Sequence, residues 1–363
     1  MKIKCKYNRI LFLHENVTNG GGEKMFRWLG QNLKERGYDI KFLFMFNNPE
    51  IDTTGLDADC IDLAISNSYL SRNFRYFTIG AFKLIWYLKK NNIKYIVSFG
   101  TNSFYLIGIL KKILGLKILV SERADPQFRR FKWLRKKLFA KSDYCVFQTQ
   151  GARSFFSYNS DERSFIIPNP VKIPEYRWSD DSAKDIISSV GRIDLAHKRQ
   201  DLLVRAFSIV HQSYPSLKLK FVGEGPDKER LLSLVSELSL LDSVIFTGQV
   251  KDVHLELLES RLFVLTSEFE GIPNALLEAM SLGMPVISTD CSPGGAAFLI
   301  GSNKNGILVP RGDYYKIAEA ILKILSDKCY RIEKGKQAHQ SVLNYSEDLI
   351  IKEWEDVVDK LIC

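Results

Sequence analysis

Nowhere in its 363 residues does the chain hold an apolar run approaching the roughly 20 residues that cross a bilayer, because Lys or Asn interrupts every candidate. The N-terminus, MKIKCKYNRILFLHENVTN, is apolar only from Ile10 to Leu13, too short for the core of a signal peptide, and is expected to be a first strand. The six cysteines (Cys5, Cys60, Cys145, Cys291, Cys329, Cys363) show neither CxxC nor metal-finger spacing. A chain of this length needs no disulfide staples, so they are expected to be reduced thiols in a cytosolic protein. The five histidines also lack ligand spacing, and no metal is expected. There is no internal repeat and no low-complexity tract, which excludes solenoids and disordered linkers.

Acidic residues are scarce in one half. Residues 1 to 180 hold 30 Lys and Arg against 16 Asp and Glu, a balance of 30 − 16 = +14, while the whole chain carries +9. The first half is therefore expected to face something anionic, such as a membrane surface or a nucleic acid.

Short β-branched or aromatic runs alternate with longer amphipathic stretches along the chain. That is the pattern of parallel sheets with crossover helices. Strands are expected at residues 9–13, 40–46, 95–99, 117–121 and 144–149, then at 185–190, 217–223, 243–248, 261–266 and 285–289. Between the two groups, Pro168, Pro170 and Pro174 crowd one stretch ahead of a polar run, as in an interdomain linker. The expected domains are 1–170, joined by a C-terminal helix over 346–363 that returns to it, and 171–345. Each is a Rossmann-like α/β domain, and a ligand is expected in a central cleft at the carboxyl ends of the strands.

The stretch RLFVLTSEFEGIPNALLEAMSLGMPVIST reads as one strand–helix–strand unit. Gly271 and Pro273 start the helix and Gly283 ends it. Glu270 then occupies the loop at a strand's carboxyl end, ahead of a helix N-terminus whose amides favour anions. Glu278 lies in the helix, where side chains lean back toward the N-terminus and the same pocket. Each could be a solvated acid, but carboxylates so placed also suit the vicinal hydroxyls of sugars.

The run E-G-I-P-N-A-L-L-E-A-M-S, with its E-x7-E spacing, resembles the signature of glycosyltransferase family 4. These are retaining, nucleotide-sugar-dependent enzymes of GT-B architecture. The resemblance implies that Glu270 lies at the donor sugar near the reacting centre, that Glu278 binds ribose hydroxyls, and that Gly271, Ile272, Pro273 and Asn274 lie near sugar and phosphate. It extends to SVGRIDLAHKRQDLLVRAF, where Gly191, Arg192 and Lys198 would hold the donor diphosphate. Fixed cations stabilise the charge that gathers on a departing nucleoside diphosphate. It extends also to FVGEGPDKERL, where Gly223, Glu224 and Gly225 would meet the nucleotide, and to NGGGEKMFRWL, where Gly21 and Gly22 would approach the donor. Two positions depart from the family. A His common after an N-terminal strand is absent from SERADP, where Glu122 or Arg123 would replace it, and GGAAF lacks the acid of a G-G-x-x-E motif. His14, after the first strand, is either a structural histidine or an acceptor contact. The triplet Asp57-Ala58-Asp59 spells the metal motif of the other large glycosyltransferase fold but lacks its context.

FRRFKWLRKKLFAKSDY is a separate signal. Arg129, Arg130, Lys132, Arg135, Lys136 and Lys137 flank a helical stripe of Phe128, Phe131, Leu134 and Leu138. It reads as an interfacial helix on anionic lipid or as a helix packed on the sheet with a solvated basic face. No nucleic-acid module accompanies it, and no nucleic-acid partner is expected. Together these imply transfer of a sugar from a UDP-sugar, with no metal or other cofactor, to a growing or polyprenyl-diphosphate-linked saccharide. The expected place is the cytoplasm, peripherally at the inner face of the membrane, in capsule or O-antigen synthesis. An epimerase or phosphorolytic enzyme of the same fold, or a binding protein without turnover, are the alternatives.

Overall fold

A computed structural model describes residues 8–14, 21–45, 58–61, 76–99, 102–128, 131–156 and 162–363. The chain divides into two compact units, Met1–Asn169 with Asp348–Cys363, and Pro170–Glu347.

The first unit is built on strands β1 (Ile10–His14), β2 (Ile40–Phe44), β3 (Ala58–Cys60), β4 (Tyr95–Ser98), β5 (Lys117–Glu122), β6 (Tyr144–Phe147) and β7 (Ser164–Ile166), ordered β3-β2-β1-β4-β5-β6-β7. Every pairing is parallel. Its helices are α1 (Gly21–Glu35), α2 (Ala81–Lys90), α3 (Asn102–Leu114), α4 (Lys132–Lys141) and α5 (Gln150–Phe155). Strand side chains alternate between faces. Leu11, Leu13, Leu43, Ile96, Ile118 and Val120 point to one core, shared with the inner sides of α2, α3, α4 and α5. Phe12, Phe42 and Phe99 point the other way, against Phe26 of α1 and Trp354 of the C-terminal helix. Gly30 lets α1 lie close to the sheet, since a Cβ there would fall 2.3 Å from the Phe42 ring.

The second unit carries β8 (Lys184–Val190), β9 (Lys218–Val222), β10 (Val244–Gly248), β11 (Ser260–Leu265), β12 (Val286–Thr289) and β13 (Ile307–Val309), ordered β10-β9-β8-β11-β12-β13 and parallel throughout. The crossover helices are α6 (Gln200–Ser213), α7 (Lys228–Glu237), α8 (Val253–Leu258), α9 (Asn274–Leu282), α10 (Gly295–Ile300), α11 (Tyr314–Ser326) and α12 (Lys328–Val342). The chain winds outward in both directions from the adjacent pair β8 and β11. That pair is the topological switch point at which open α/β sheets bind ligands. At the opposite end of the unit, buried Asp180 accepts from Arg331 Nε at 2.6 Å and Nη2 at 3.0 Å, and from Arg261 Nη1 at 3.2 Å.

The last helix, α13 (Glu347–Ile362), belongs to the first unit from Asp348 onward. Its Trp354 is fully buried, and Tyr38 donates to Asp359 at 2.8 Å. Asn8 donates to the Ile362 carbonyl at 3.1 Å. Cys60, Cys145, Cys291 and Cys329 are free thiols. Cys363 is disulfide-bonded, so the expectation of six reduced thiols fails at that residue, and Cys5 lies outside the described residues.

The strands β3, β7 and β13 were not expected from the sequence, and the basic segment also differs from expectation. Its helix begins only at Lys132, after Phe131 takes a left-handed φ of 54°. Leu134 and Leu138 pack inward, whereas Phe128 and Phe131 are exposed, so the proposed stripe is split. Arg135 leaves the surface set altogether. It is buried and ion-paired with buried Glu122, because each neutralises a charge that could not be left alone in the core. Arg129 and Arg130 lie outside the described residues, as does Asp57. Asp59 accepts from Tyr87 at 2.6 Å as part of the fold.

Candidate active site

Two loops leave the switch point of the second unit side by side. The loop after β8 runs from Gly191 to Arg199, and the one after β11 from Thr266 to Pro273. They are stitched together by Glu268 N donating to the His197 carbonyl at 2.8 Å and Thr266 Oγ1 donating to the Lys198 carbonyl at 2.8 Å. Side chains 72 residues apart in sequence then meet. Lys198 Nζ donates to Glu270 Oε1, which also accepts from Ser267 Oγ at 2.9 Å. Glu270 and Lys198 are 13% and 19% exposed, shielded enough for their charges to matter yet open to a ligand.

Backbone close approaches fix the Glu270 loop. Glu270 N donates to the Ser292 carbonyl at 2.8 Å. Gly295 lies so near that a Cβ would fall 1.6 Å from the Gly271 carbonyl oxygen. Pro273 is the cap residue of α9 and provides no side-chain acceptor to the helix N-terminus. Ile272 is buried, Asn274 opens the helix, and Glu278 sits one turn on, half-buried. Gly283 ends α9 with a φ of 83°.

The Arg192 side chain is 63% exposed and ion-paired with Asp194. Beside it, Gly223 and Gly225 bring the loop after β9 against the first loop: added Cβ atoms would meet the Gly191 carbonyl oxygen at 2.2 Å and that of Ile193 at 2.1 Å. Glu224 accepts from Lys228 at 2.9 Å. Lys198 and Glu270 thus meet at the carboxyl ends of β8 and β11, and Arg192 lies at the start of the first loop.

His197, set aside in the sequence for want of ligand spacing, belongs to this cluster. Its ring stacks on Phe269 at 4.1 Å, its Nε2 donates to the Phe269 carbonyl at 2.7 Å, and that nitrogen lies 3.8 Å from Glu270 Oε1. Burial pushes its pKa down, favouring the neutral ring. Cys291 beneath the loop is pushed up to about 12, chiefly by burial and then by Glu270, and stays a thiol. The signal for His197 was its adjacency to Lys198.

In the first unit, Gly21 and Gly22 open α1. His14 is 9% exposed and lies against the Phe26 ring at 5.1 Å. The two residues expected to replace the missing His are turned inward. Glu122 is taken by Arg135. Arg123 donates to the Ile167 carbonyl at 3.0 Å, and its guanidinium carbon lies 4.9 Å from the centre of the Trp354 ring. Among the described residues its buried Nε and Nη2 have no hydrogen-bond partner, and burial lowers its pKa to about 9. Among the described residues no group of three or more His, Cys, Asp or Glu could hold a metal, and no helix is long and apolar enough to cross a membrane.

Two parallel sheets, each wound from a central switch point, define a GT-B architecture. Anabaena HepE in complex with UDP shares it, with a TM-score of 0.82 over 97% of this chain and 100% of that one at 17% identity. The chain matches the family model of glycosyl transferases group 1 over residues 174–341, which makes its second unit a glycosyltransferase domain of that group. It is 24% identical to an uncharacterized glycosyltransferase of Haemophilus influenzae over 96% of this chain and 99% of that protein. It is 30% identical over 54% of its length to a Campylobacter jejuni N-acetylgalactosaminyltransferase, whose named substrate is a diphospho-undecaprenol saccharide. Against the relatives of 30 to 32% identity, the chain spans between 18% and 54% of their length.

Proposed function

We propose that this enzyme moves a sugar from a UDP-sugar to a growing or lipid-linked saccharide with retention at the anomeric carbon, in the manner of family 4 enzymes. The work belongs to bacterial cell-surface glycan synthesis at the inner face of the cytoplasmic membrane. The observation that carries the reading is the meeting of Lys198 with Glu270 at the β8–β11 switch point, with Arg192 in the same loop as Lys198. Lys198 and Arg192 would take the diphosphate, and Glu270 the donor sugar. Glu278 would take the ribose, while Gly191, Gly223, Glu224 and Gly225 shape the nucleotide side.

As the bond from the anomeric carbon to the diphosphate oxygen lengthens, negative charge gathers on the leaving group. Cations already in place stabilise that charge without reorganising. Glu270, held by Ser267 and Lys198, is positioned to accept hydrogen bonds from the sugar hydroxyls. With two cations supplying the countercharge, turnover is expected without metal. The UDP named for HepE and the lipid-linked substrate named for the Campylobacter enzyme support donor and acceptor classes.

The test is UDP release from a panel of UDP-sugars, with and without polyprenyl-diphosphate saccharides, in EDTA. Acceptor-dependent release with an α-linked product from an α-linked donor is expected. Failure of every donor with every acceptor overturns the proposal.

A further inference from the structure

The helices α2, α3 and α4 bury their inner sides in one core on the same face of the first unit's sheet, so their outer sides form one layer. That layer has two unusual properties. The first is chemical: AFKLIWYLKK, NSFYLIGILKKIL and KWLRKKLFAK contain ten Lys and Arg and not one Asp or Glu. The bias begins earlier, since residues 63 to 121 hold no acid at all. The second is exposure. Phe82 is 78% exposed, Trp86 61%, Ile109 56%, Ile113 74% and Trp133 63%, all on these helices. Soluble surfaces rarely bare such a group of large apolar side chains.

The opposite face of the sheet is covered differently. There α13 carries Asp348, Glu353, Glu355, Asp356 and Asp359 against Lys352 and Lys360. The asymmetry identifies the occupant of the apolar layer. Exposed Lys89, Lys90, Lys112, Lys132, Lys136 and Lys137 are carried on the same three helices, and two of them lie over the indoles, Lys90 Nζ at 4.6 Å from the Trp86 ring and Lys137 Nζ at 5.1 Å from that of Trp133. Aromatic side chains with lysines folded over them suit the boundary between headgroups and acyl chains, where the ring is buried and the ammonium meets phosphate.

We infer that the outer side of α2, α3 and α4 is a docking surface for an anionic phospholipid bilayer, with Phe82, Trp86, Ile109 and Ile113 entering the headgroup region. This deepens the membrane placement of the proposed function and moves it. The basic segment supplies cations, but the apolar anchor lies chiefly on α2 and α3, which the sequence reading had not singled out.

The full chain is mixed with vesicles of phosphatidylethanolamine and phosphatidylglycerol, or of phosphatidylcholine alone, and sedimented at low and high salt without any substrate. The parent is expected on anionic vesicles at least about tenfold more than on zwitterionic ones. The variant Phe82→Ser, Trp86→Ser, Ile109→Ser, Ile113→Ser keeps every cation and should lose binding about tenfold, with the remainder released by salt. A second variant, Lys89→Gln, Lys90→Gln, Lys112→Gln, should lose the preference for anionic lipid. All replaced residues are exposed, so unchanged circular dichroism and UDP binding are expected and verify folding. Equal binding by the apolar variant and the parent, absence of parent binding at low salt, or tighter capture of the parent by RNA that phosphatidylglycerol vesicles do not displace, each overturns the inference. Vesicle binding with no transfer of any sugar would instead overturn the proposed function and leave this surface standing.

Discussion

Replacing Lys198 with Ala separates a working constellation from a coincidental ion pair. The ammonium donates to Glu270, and among the described residues Ser267 Oγ at 2.9 Å would remain as hydrogen-bond donor to that carboxylate oxygen, with His197 Nε2 3.8 Å away. At 19% exposure, the lysine acts in a partly desolvated place, where a preorganised donor to developing charge contributes about 3–4 kcal/mol, a factor of 10² to 10³ in kcat. Arg192 gives the comparison. Its side chain is 63% exposed and shared with Asp194. At a dielectric nearer that of water its contribution is about 1–2 kcal/mol, roughly a tenfold effect. Turnover of UDP-sugar is measured for Lys198→Ala, Arg192→Ala and Glu270→Gln, alone and with Lys198→Ala and Glu270→Gln combined. Lys198→Ala should be the more damaging cation change, and the combined variant should fall well short of the product of its single effects. Lys198→Ala within threefold of the parent in kcat/KM, or Arg192→Ala the worse of the two, would refute the assignment.

Glu278→Gln should weaken UDP by about 1–3 kcal/mol in calorimetry, as a charged acceptor becomes neutral, while Glu270→Gln spares UDP and damages transfer. Unchanged UDP affinity in Glu278→Gln would remove that residue from the nucleotide site. Gly295→Ala should displace the Glu270 loop, because its Cβ would fall 1.6 Å from the Gly271 carbonyl oxygen. Lost transfer with the far-UV spectrum preserved is expected, and full activity would show the loop free to yield. Glu122→Gln leaves buried Arg135 without its countercharge, a cost of about 3–5 kcal/mol and a fall in Tm on the order of ten degrees. The double change Glu122→Leu, Arg135→Met should be milder, and an equal loss would contradict the electrostatic account. Hydrogen bonding to Arg331 holds the Asp180 carboxyl below its ordinary value. Its stabilisation is therefore full above the unfolded value of about 3.9 and is lost as pH falls through the folded one. Denaturant melts should show an acid-side slope that Asp180→Asn reduces.

The strand–helix–strand unit around Glu270 was legible because its signals are local: a buried apolar strand, Pro273 before the helix, and Gly283 after it. The meeting of Lys198 with Glu270 was not, since it is made by β8 and β11 becoming neighbours, and resemblance to a family stood in for that geometry. The strands β3, β7 and β13 are three residues each and leave no readable period. Arg135 misled for the opposite reason. Its local pattern is that of a surface cation, and its burial depends on Glu122, which reaches it from β5. His197 was judged by metal-ligand spacing, a test blind to a ring stacked on Phe269.

The uneven covering of the first unit's sheet has a mechanical consequence. With carboxylate-free helices on one side and an acid-rich helix on the other, the unit has an electrical polarity across its thickness. A negatively charged plane exerts a torque on such a body once they come within about one Debye length, roughly 8 Å at physiological ionic strength. Docking of the inferred kind would then begin with the unit already rotated, so that many random collisions would become landings on the basic side. Salt that shortens this distance would slow such arrival even where apolar side chains held the contact itself.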